Sequence, residues 1–85
     1  MTVYDLKEGD KGIIKDFFAG REFKRRVISL GITKGSLFTV KHITMMRNVF
    51  ELEIDNGTLV ALRKGEAKKV EVELKNWITG KLWKQ

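Results

Sequence analysis

The 85-residue sequence contains no cysteine and no proline, and the lack of cysteine excludes several classes of small protein. Without thiols there is no disulfide framework, no thiolate zinc or iron–sulfur site and no cysteine nucleophile. A secreted domain of this size usually depends on such cross-links, because its single core is too small to stabilise it alone. We therefore expect one small domain in the cytoplasm.

Long apolar runs are also missing. No stretch approaches the roughly 18 consecutive apolar residues of a membrane-spanning helix. The N-terminus lacks the basic region followed by an apolar run that marks a secretory signal. We expect neither export nor a membrane span. No glycine-rich phosphate motif of the G-x-x-x-x-G-K-[ST] or G-x-G-x-x-G type occurs either, so any nucleotide chemistry must belong to a partner.

Groups for catalysis are scarce. His42 is the single histidine, and Ser29 and Ser36 stand outside any recognisable nucleophile motif. Most carboxylates alternate with apolar residues along expected strands, which is typical of a solvated sheet face. The sequence therefore predicts a protein that is not an enzyme.

Metal ligands are equally sparse. Ferrous iron needs imidazole and carboxylate groups that converge on one point. Asp16, Glu51 and Glu53 are the possible carboxylate companions of His42. Strand alternation instead makes His42 a rim residue at the end of the core-facing row that begins with Phe38 and Val40. We expect no metal site and no cofactor.

What the sequence does contain is alternating strands and positive charge. Seventeen basic and eleven acidic residues give a net charge of +6, which favours acidic partners such as nucleic acid, an anionic membrane surface or an acidic protein. Apolar residues with a period of two, bounded by turn signals, predict five short strands. The Asp55–Thr58 segment contains Asn-Gly, which is typical of a type I′ hairpin turn. The strands are expected near residues 12–17, 38–41, 50–55, 59–62 and 70–74.

One segment has helical periodicity. Phe23, Val27 and Leu30 lie on one face of a helix over residues 21–30, and Gly31 stands where a left-handed helix cap is expected. A helix of ten residues is not stable alone, so it must pack on the sheet. A single helical turn is expected over residues 63–67, just before the last strand.

An ordered set of motifs resembles the FeoA family, the small cytosolic component of bacterial ferrous iron uptake. Its most specific element is the R-R-x-x-x-L-G-I-x-x-G run over residues 25–35. Ala61-Leu62-Arg63 and Glu66-Ala67 follow at the distances expected for this family and lead into the last strand. The similarity covers about residues 3–74. The resemblance implies an SH3-like small five-stranded barrel with one short helix inserted after the first strand, in agreement with the periodicity.

The resemblance also implies a partner. FeoA-type proteins are expected to act by protein–protein interaction with the cytosolic GTPase domain of the iron permease FeoB. The Thr44–Val49 loop departs from the family, in which glycine and proline are common at this point. We expect partner binding by Met45 and Met46 in this loop and by Arg21, Lys24 and Arg25 on the helix.

Two alternatives stay open at this point. A methionine of the loop either is exposed as an adaptable contact or folds back to plug the barrel end. The SH3-like shape also permits a nucleic-acid or peptide-binding module unconnected with iron. Phe38 and Phe50 alternate with polar residues in a way that directs them inward, whereas a nucleic-acid reader needs exposed aromatic rings, so no nucleic acid is expected.

The C-terminal tail is separate from the resemblance. We divide the chain into an FeoA-type domain over residues 1–74 and a tail over residues 75–85. The tail contains Trp77, Ile78, Leu82 and Trp83. Exposure of both indoles would forgo about 1.5–3 kcal/mol of apolar transfer energy for each. We expect the tail to pack against the barrel or to mediate a weak homo-oligomer.

Overall fold

Five β-strands and two helices follow the order that the sequence predicts. The computed structural model describes residues 1–18, 20–55 and 57–75. The mainly β prediction is confirmed, with one helix after the first strand and a helical turn before the last. The elements are β1 (Lys11–Phe17), α1 (Arg21–Ser29), β2 (Leu37–Ile43), β3 (Val49–Ile54), β4 (Leu59–Arg63), α2 (Lys64–Ala67) and β5 (Val70–Leu74), with 3-10 turns at Val3–Asp5 and Met45–Arg47.

The strands form one antiparallel sheet in the order β4-β3-β2-β1-β5. Every pair of neighbouring strands is antiparallel, and the sheet curves into a small SH3-like barrel. Two β-bulges interrupt the ladder, one between Ile14 and Asp16 in β1 and one between Val40 and His42 in β2. A bulge adds one residue to one strand, so the residues beyond it change faces.

The bulge in β2 corrects the expectation for His42. Phe38 and Val40 are buried as predicted, but His42 is exposed and Ile43 takes the inward direction instead. The prediction that His42 ends a core-facing row is therefore wrong, because simple alternation does not survive the extra residue at this point.

The core lies inside the curved sheet. Phe38 and Phe50 point inward as predicted, and Phe50 is fully buried. Alternate apolar residues of the strands form the inner face of the sheet. Side chains from α1, the N-terminal segment and α2 complete the core. The buried apolar side chains are Val3, Leu6, Ile14, Phe17, Val27, Ile32, Phe38, Val40, Phe50, Leu52, Ile54, Val60, Leu62, Ala67, Val70 and Val72.

Helix α1 ends in a Schellman motif. Gly31 has a φ of 100°, and its N–H donates to the Ile28 carbonyl while the Ile32 N–H donates to the Val27 carbonyl, each at 2.9 Å. Val27 and Ile32 are both fully buried, so the cap also joins the helix to the core. Phe23 and Leu30 pack partly buried beside them, which confirms the predicted apolar face. The helix ends at Ser29, one residue earlier than expected.

The β3–β4 hairpin is confirmed, with a turn that differs in detail. The Gly57 N–H donates to the Ile54 carbonyl at 2.7 Å, and the Ile54 N–H donates to the Thr58 carbonyl at 2.8 Å. The bond from the Gly57 N–H to the Ile54 carbonyl thus closes the turn one residue earlier than in a type I′ turn centred on Asn-Gly. Gly57 has the positive φ that the sequence predicted, at 91°, and the conformation of Asn56 lies outside the described residues.

The open end of the barrel is covered by short segments. Val3 and Leu6 of the N-terminal segment and Ala67 of α2 have no exposed surface. The N-terminal segment also runs along the outer edge of β5, because the Val72 N–H donates to the Met1 carbonyl at 2.9 Å. The predicted tail with Trp77 and Trp83 lies outside the described residues, and the division at residue 74 stays a prediction.

At Gly12, β1 passes close to β5 and to the Phe38 ring. A Cβ there would lie 2.5 Å from the Glu73 carbonyl oxygen and 3.1 Å from the Phe38 ring. We expect Gly12→Ala to lower the free energy of unfolding by about 1–3 kcal/mol, because a buried strand must shift to admit the methyl group.

Gly65 in α2 is the matched control, since a Cβ there meets nothing within 4 Å. Gly65→Ala should leave stability unchanged or raise it slightly, because alanine favours a helix. Urea denaturation followed by circular dichroism measures both. Equal stability of the two variants would contradict the close approach at Gly12.

Candidate protein-docking surface

The loop between β2 and β3 raises two methionines into solvent. Met45 is 85% exposed and Met46 is 77% exposed, more than any other large apolar side chain in the described residues. The sequence left open whether one of them plugs the barrel end, and the structure answers that neither does. Two adjacent flexible apolar side chains at a loop tip are typical of an adaptable protein contact.

The backbone of this tip is strained. Met46 has a φ of 64° and Arg47 a φ of 55°, and they are the two residues other than glycine with positive φ in the described chain. Each such conformation costs on the order of 1–3 kcal/mol and persists only where surrounding contacts hold it. Hydrogen bonds around Thr44 form the base of the loop, with the Arg47 N–H donating to the Thr44 carbonyl at 2.9 Å and the Val49 N–H to Thr44 Oγ1 at 3.0 Å.

Arg47 turns inward at the barrel end, where the sequence had left an inward methionine open as an alternative. Its guanidinium donates to the carbonyl oxygens of Tyr4 at 2.5 Å and Leu6 at 2.8 Å. The Arg47 Cζ atom also lies 5.2 Å from the ring centroids of both Tyr4 and Phe50, within the range of cation–π attraction. The residue that covers this end of the core is therefore the arginine. Sequence reasoning missed this role, because the contacts join residues more than 40 positions apart.

The second part of the predicted surface is the outer face of α1. Arg21, Lys24 and Arg25 are exposed, as predicted. Helical spacing places Ile28 among them, and its side chain is 53% exposed. No ion pair within the described residues involves Arg21 or Arg25. This face thus combines free positive charge with one apolar side chain.

Helix α2 connects the two parts. Glu66 forms an ion pair with Arg26 of α1 and accepts a hydrogen bond from the Arg63 N–H at 2.9 Å. On its other side, the Lys64 N–H donates to the Asn48 carbonyl at 2.8 Å, next to the methionine tip. The structure therefore brings Met45 and Met46 together and groups Arg21, Lys24 and Arg25 separately, with α2 as the link.

The groups considered for metal binding do not converge. Nδ1 of His42 lies 3.1 Å from Oε2 of Glu8, a carboxylate that the sequence argument did not consider. Glu51 stands opposite His42 in the ladder, Glu53 pairs with Lys41 at 3.5 Å, and Asp16 pairs with Lys34 at 3.4 Å. Across residues 1–18, 20–55 and 57–75, no three metal-ligating side chains form a group.

One groove of the described residues is lined by apolar, acidic and basic side chains. This groove of about 240 Å³ lies beside the start of β1 and β2, where Leu37, Phe38 and Thr39 line one side. None of the described residues that line it is a histidine, serine or cysteine. Nor is any described helix long and apolar enough to cross a lipid bilayer.

One carboxyl group has a clearly shifted pKa. The Phe17 N–H donates to Oδ1 of Asp16 at 2.7 Å, and this bond, with smaller effects from Lys34 and Lys24, lowers the pKa of Asp16 below its ordinary value of 3.8. The bond lies at the β1 bulge. Asp16 therefore acts as a structural acceptor at this irregular position in the sheet.

These features define a class of protein: a small SH3-like barrel with an inserted helix, whose described residues present an exposed methionine tip and a basic helix face. The FeoA domain family matches residues 1–74. The chain belongs to the FeoA family.

Known proteins of similar sequence and structure support this membership. A Campylobacter jejuni protein named for Fe(2+) transport (protein A) is 35% identical over 74 residues, which are 87% of this chain and 99% of the relative. The solution structure of a FeoA protein from Chlorobium tepidum has a TM-score of 0.79 and 26% identity, over 87% of this chain and 70% of that one. The crystal structure of an iron uptake regulatory protein (FeoA) has a TM-score of 0.76 and 26% identity, over 87% and 95%.

We expect ferrous iron to bind weakly at most, because a single imidazole beside Glu8 does not complete a coordination shell. Anaerobic calorimetry with Fe²⁺ measures this on the wild type and on His42→Ala. The two titrations should be indistinguishable. A saturable micromolar site that disappears in His42→Ala would show that the protein binds iron directly.

Asp16 supplies a pH prediction. Its pKa is lower in the folded than in the unfolded chain, so its contribution to stability is complete above pH 3.8 and is lost as the pH falls through the folded-state value. Asp16→Asn should flatten the acid side of the curve of unfolding free energy against pH. Parallel curves for wild type and Asp16→Asn would contradict the assignment.

Proposed function

We propose that this chain is a cytoplasmic, non-enzymatic accessory protein of ferrous iron uptake that binds the cytosolic GTPase domain of the iron permease FeoB. Membership of the FeoA family and the Fe(2+) transport name of a 35% identical relative support the link with iron. The observation that carries the binding role is the pair of methionines, both more than three-quarters exposed at one loop tip.

The chemistry of the surface favours a protein partner. An interface needs an apolar centre that becomes fully buried, and Met45 and Met46 supply it. The charges on α1 suit long-range attraction, because surface charges act mainly on the rate of encounter. In the proposed complex the methionine tip enters the partner, while Arg21, Lys24 and Arg25 face acidic groups on it.

Iron then stays with the partner. The dispersed carboxylates and the single His42–Glu8 pair support a role in which this chain acts on the permease and does not carry the metal. The absence of a phosphate motif from the sequence likewise leaves GTP hydrolysis to the permease.

The inward direction of the aromatic core argues against the alternative of nucleic-acid binding. Phe38 and Phe50 are buried, so they offer no stacking platform to bases. A pull-down from cytosol and detergent-solubilised membranes, with the tagged full chain as bait, tests both hypotheses. Recovery of the permease supports the proposal, and recovery of RNA without the permease overturns it.

The two parts of the surface should affect different rate constants. Met46→Ser removes apolar area from the centre of the interface, so the complex with the purified GTPase domain should dissociate about tenfold faster or more. Arg25→Glu should slow association and weaken its dependence on salt. Surface plasmon resonance at two salt concentrations measures both rate constants.

Two variants elsewhere on the barrel are the controls. Leu59→Ser changes an apolar side chain of β4 that is 58% exposed, and Lys11→Glu reverses a charge on β1. Both should bind as the wild type does. If Met46→Ser and Arg25→Glu also bind as the wild type does, the docking surface lies elsewhere.

A further inference from the structure

The loop between β2 and β3 reverses the usual order of burial. Elementary solvation favours burying a methionine and leaving an arginine in water. Here the two methionines are exposed at 85% and 77%, while the arginine that follows them directs its guanidinium into the protein. A conformation with one methionine turned inward would satisfy the ordinary preference. The observed conformation therefore needs a specific cause.

The contacts of Arg47 supply that cause. Its side chain bridges two backbone carbonyls of the N-terminal segment, those of Tyr4 and Leu6. Leu6 is fully buried, and the ring of Tyr4 packs against the ring of Phe50 with 5.6 Å between centroids. The guanidinium is thus fastened to a rigid part of the core. Charge-assisted hydrogen bonds of this kind are among the stronger ones in proteins.

The backbone places the same residue at the base of the tip. Arg47 is the second of two consecutive residues with positive φ, and Met46 is the first. Because the side chain of Arg47 is anchored, its two hydrogen bonds oppose relaxation of the Arg47 backbone to a negative φ. Its anchoring thereby also holds Met46 in the left-handed conformation that directs the methionine side chain outward.

We infer that Arg47 is a positioning residue for docking: its anchor to the N-terminal segment holds Met45 and Met46 raised before the partner arrives. This inference rests on the proposed function and adds to it the shape of the partner site. A preformed tip with two flexible apolar side chains fits an apolar cleft in a folded protein. Binding then avoids the cost of ordering the loop, and this raises affinity without any new contact.

The first experiment needs no partner. Amide hydrogen exchange, followed by NMR, compares the wild type with Arg47→Ala and with the conservative variant Arg47→Lys. Loss of the anchor should speed exchange at Thr44 and Val49, whose N–H groups are hydrogen-bonded at the base of the loop, by about tenfold or more, the size expected for one charged hydrogen bond. The core amide of Leu52 should change little. Arg47→Lys should fall between the other two, since lysine keeps the charge but lacks the flat guanidinium whose Cζ lies 5.2 Å from the ring centroids of Tyr4 and Phe50.

The control for loss of a cation is Lys11→Ala, on the outer face of the sheet. It should leave exchange at the tip unchanged. Unchanged exchange at Thr44 and Val49 in Arg47→Ala overturns the inference. So does an equal rise at all amides, because that shows general destabilisation of the fold and no local anchor.

The second experiment is a double-mutant cycle with the purified GTPase domain of FeoB. If Arg47 acts through the methionine tip, Arg47→Ala should weaken binding in the wild-type background and have little further effect in Met46→Ser. Fully additive losses contradict this coupling. If the wild-type chain does not bind this domain, the proposed function fails, and the exchange experiment alone decides whether Arg47 positions the tip.

Discussion

One constraint shapes the described structure: a single curved sheet must enclose the apolar core, because in a domain of this size only short segments and one short helix pack against it. Strand alternation fills the inner face, but a curved sheet leaves its ends open to water. The ends are covered by segments with little regular structure of their own. Val3, Leu6 and Ala67 lie in short turns and yet have no exposed surface.

The helix inserted after β1 also helps to cover the core. Val27 enters the core from α1, and Ile32 follows it just beyond the glycine cap, so the helix end and the core are joined at one point. The opposite face of α1 is exposed and carries Arg21 and Arg25. Because its apolar residues lie on one face and its charges on the other, the helix offers a basic surface to acidic groups.

The β2–β3 loop covers its end of the barrel with a charged side chain and not with an apolar one. An arginine covers the barrel end, with its charge satisfied by backbone carbonyls and aromatic ring faces. That leaves Met45 and Met46 available at the surface. A buried charge is usually a cost, but Arg47 is only half-buried and one guanidinium nitrogen donates to two backbone carbonyls, so the side chain covers the barrel end while the methionines stay exposed.

Local patterns in the sequence determined the elements and their order. The alternation of apolar and polar residues predicted the strands, and the spacing of Phe23, Val27 and Leu30 predicted α1. Gly31 and Gly57 marked two of the positions with positive φ. These features depend on residues a few positions apart, so they can be read without the fold. The exposure of the α1 charges follows from the same local geometry.

Only the tertiary structure decided where His42 and Arg47 point. A bulge in β2 moved His42 off the core-facing row, and a bulge depends on the register with the neighbouring strand. Arg47 finds its acceptors at Tyr4 and Leu6, 43 and 41 residues away in the chain. No local periodicity encodes such a contact. Whether a methionine or the arginine turns inward was decided when folding brought the N-terminal carbonyls to the open end of the barrel.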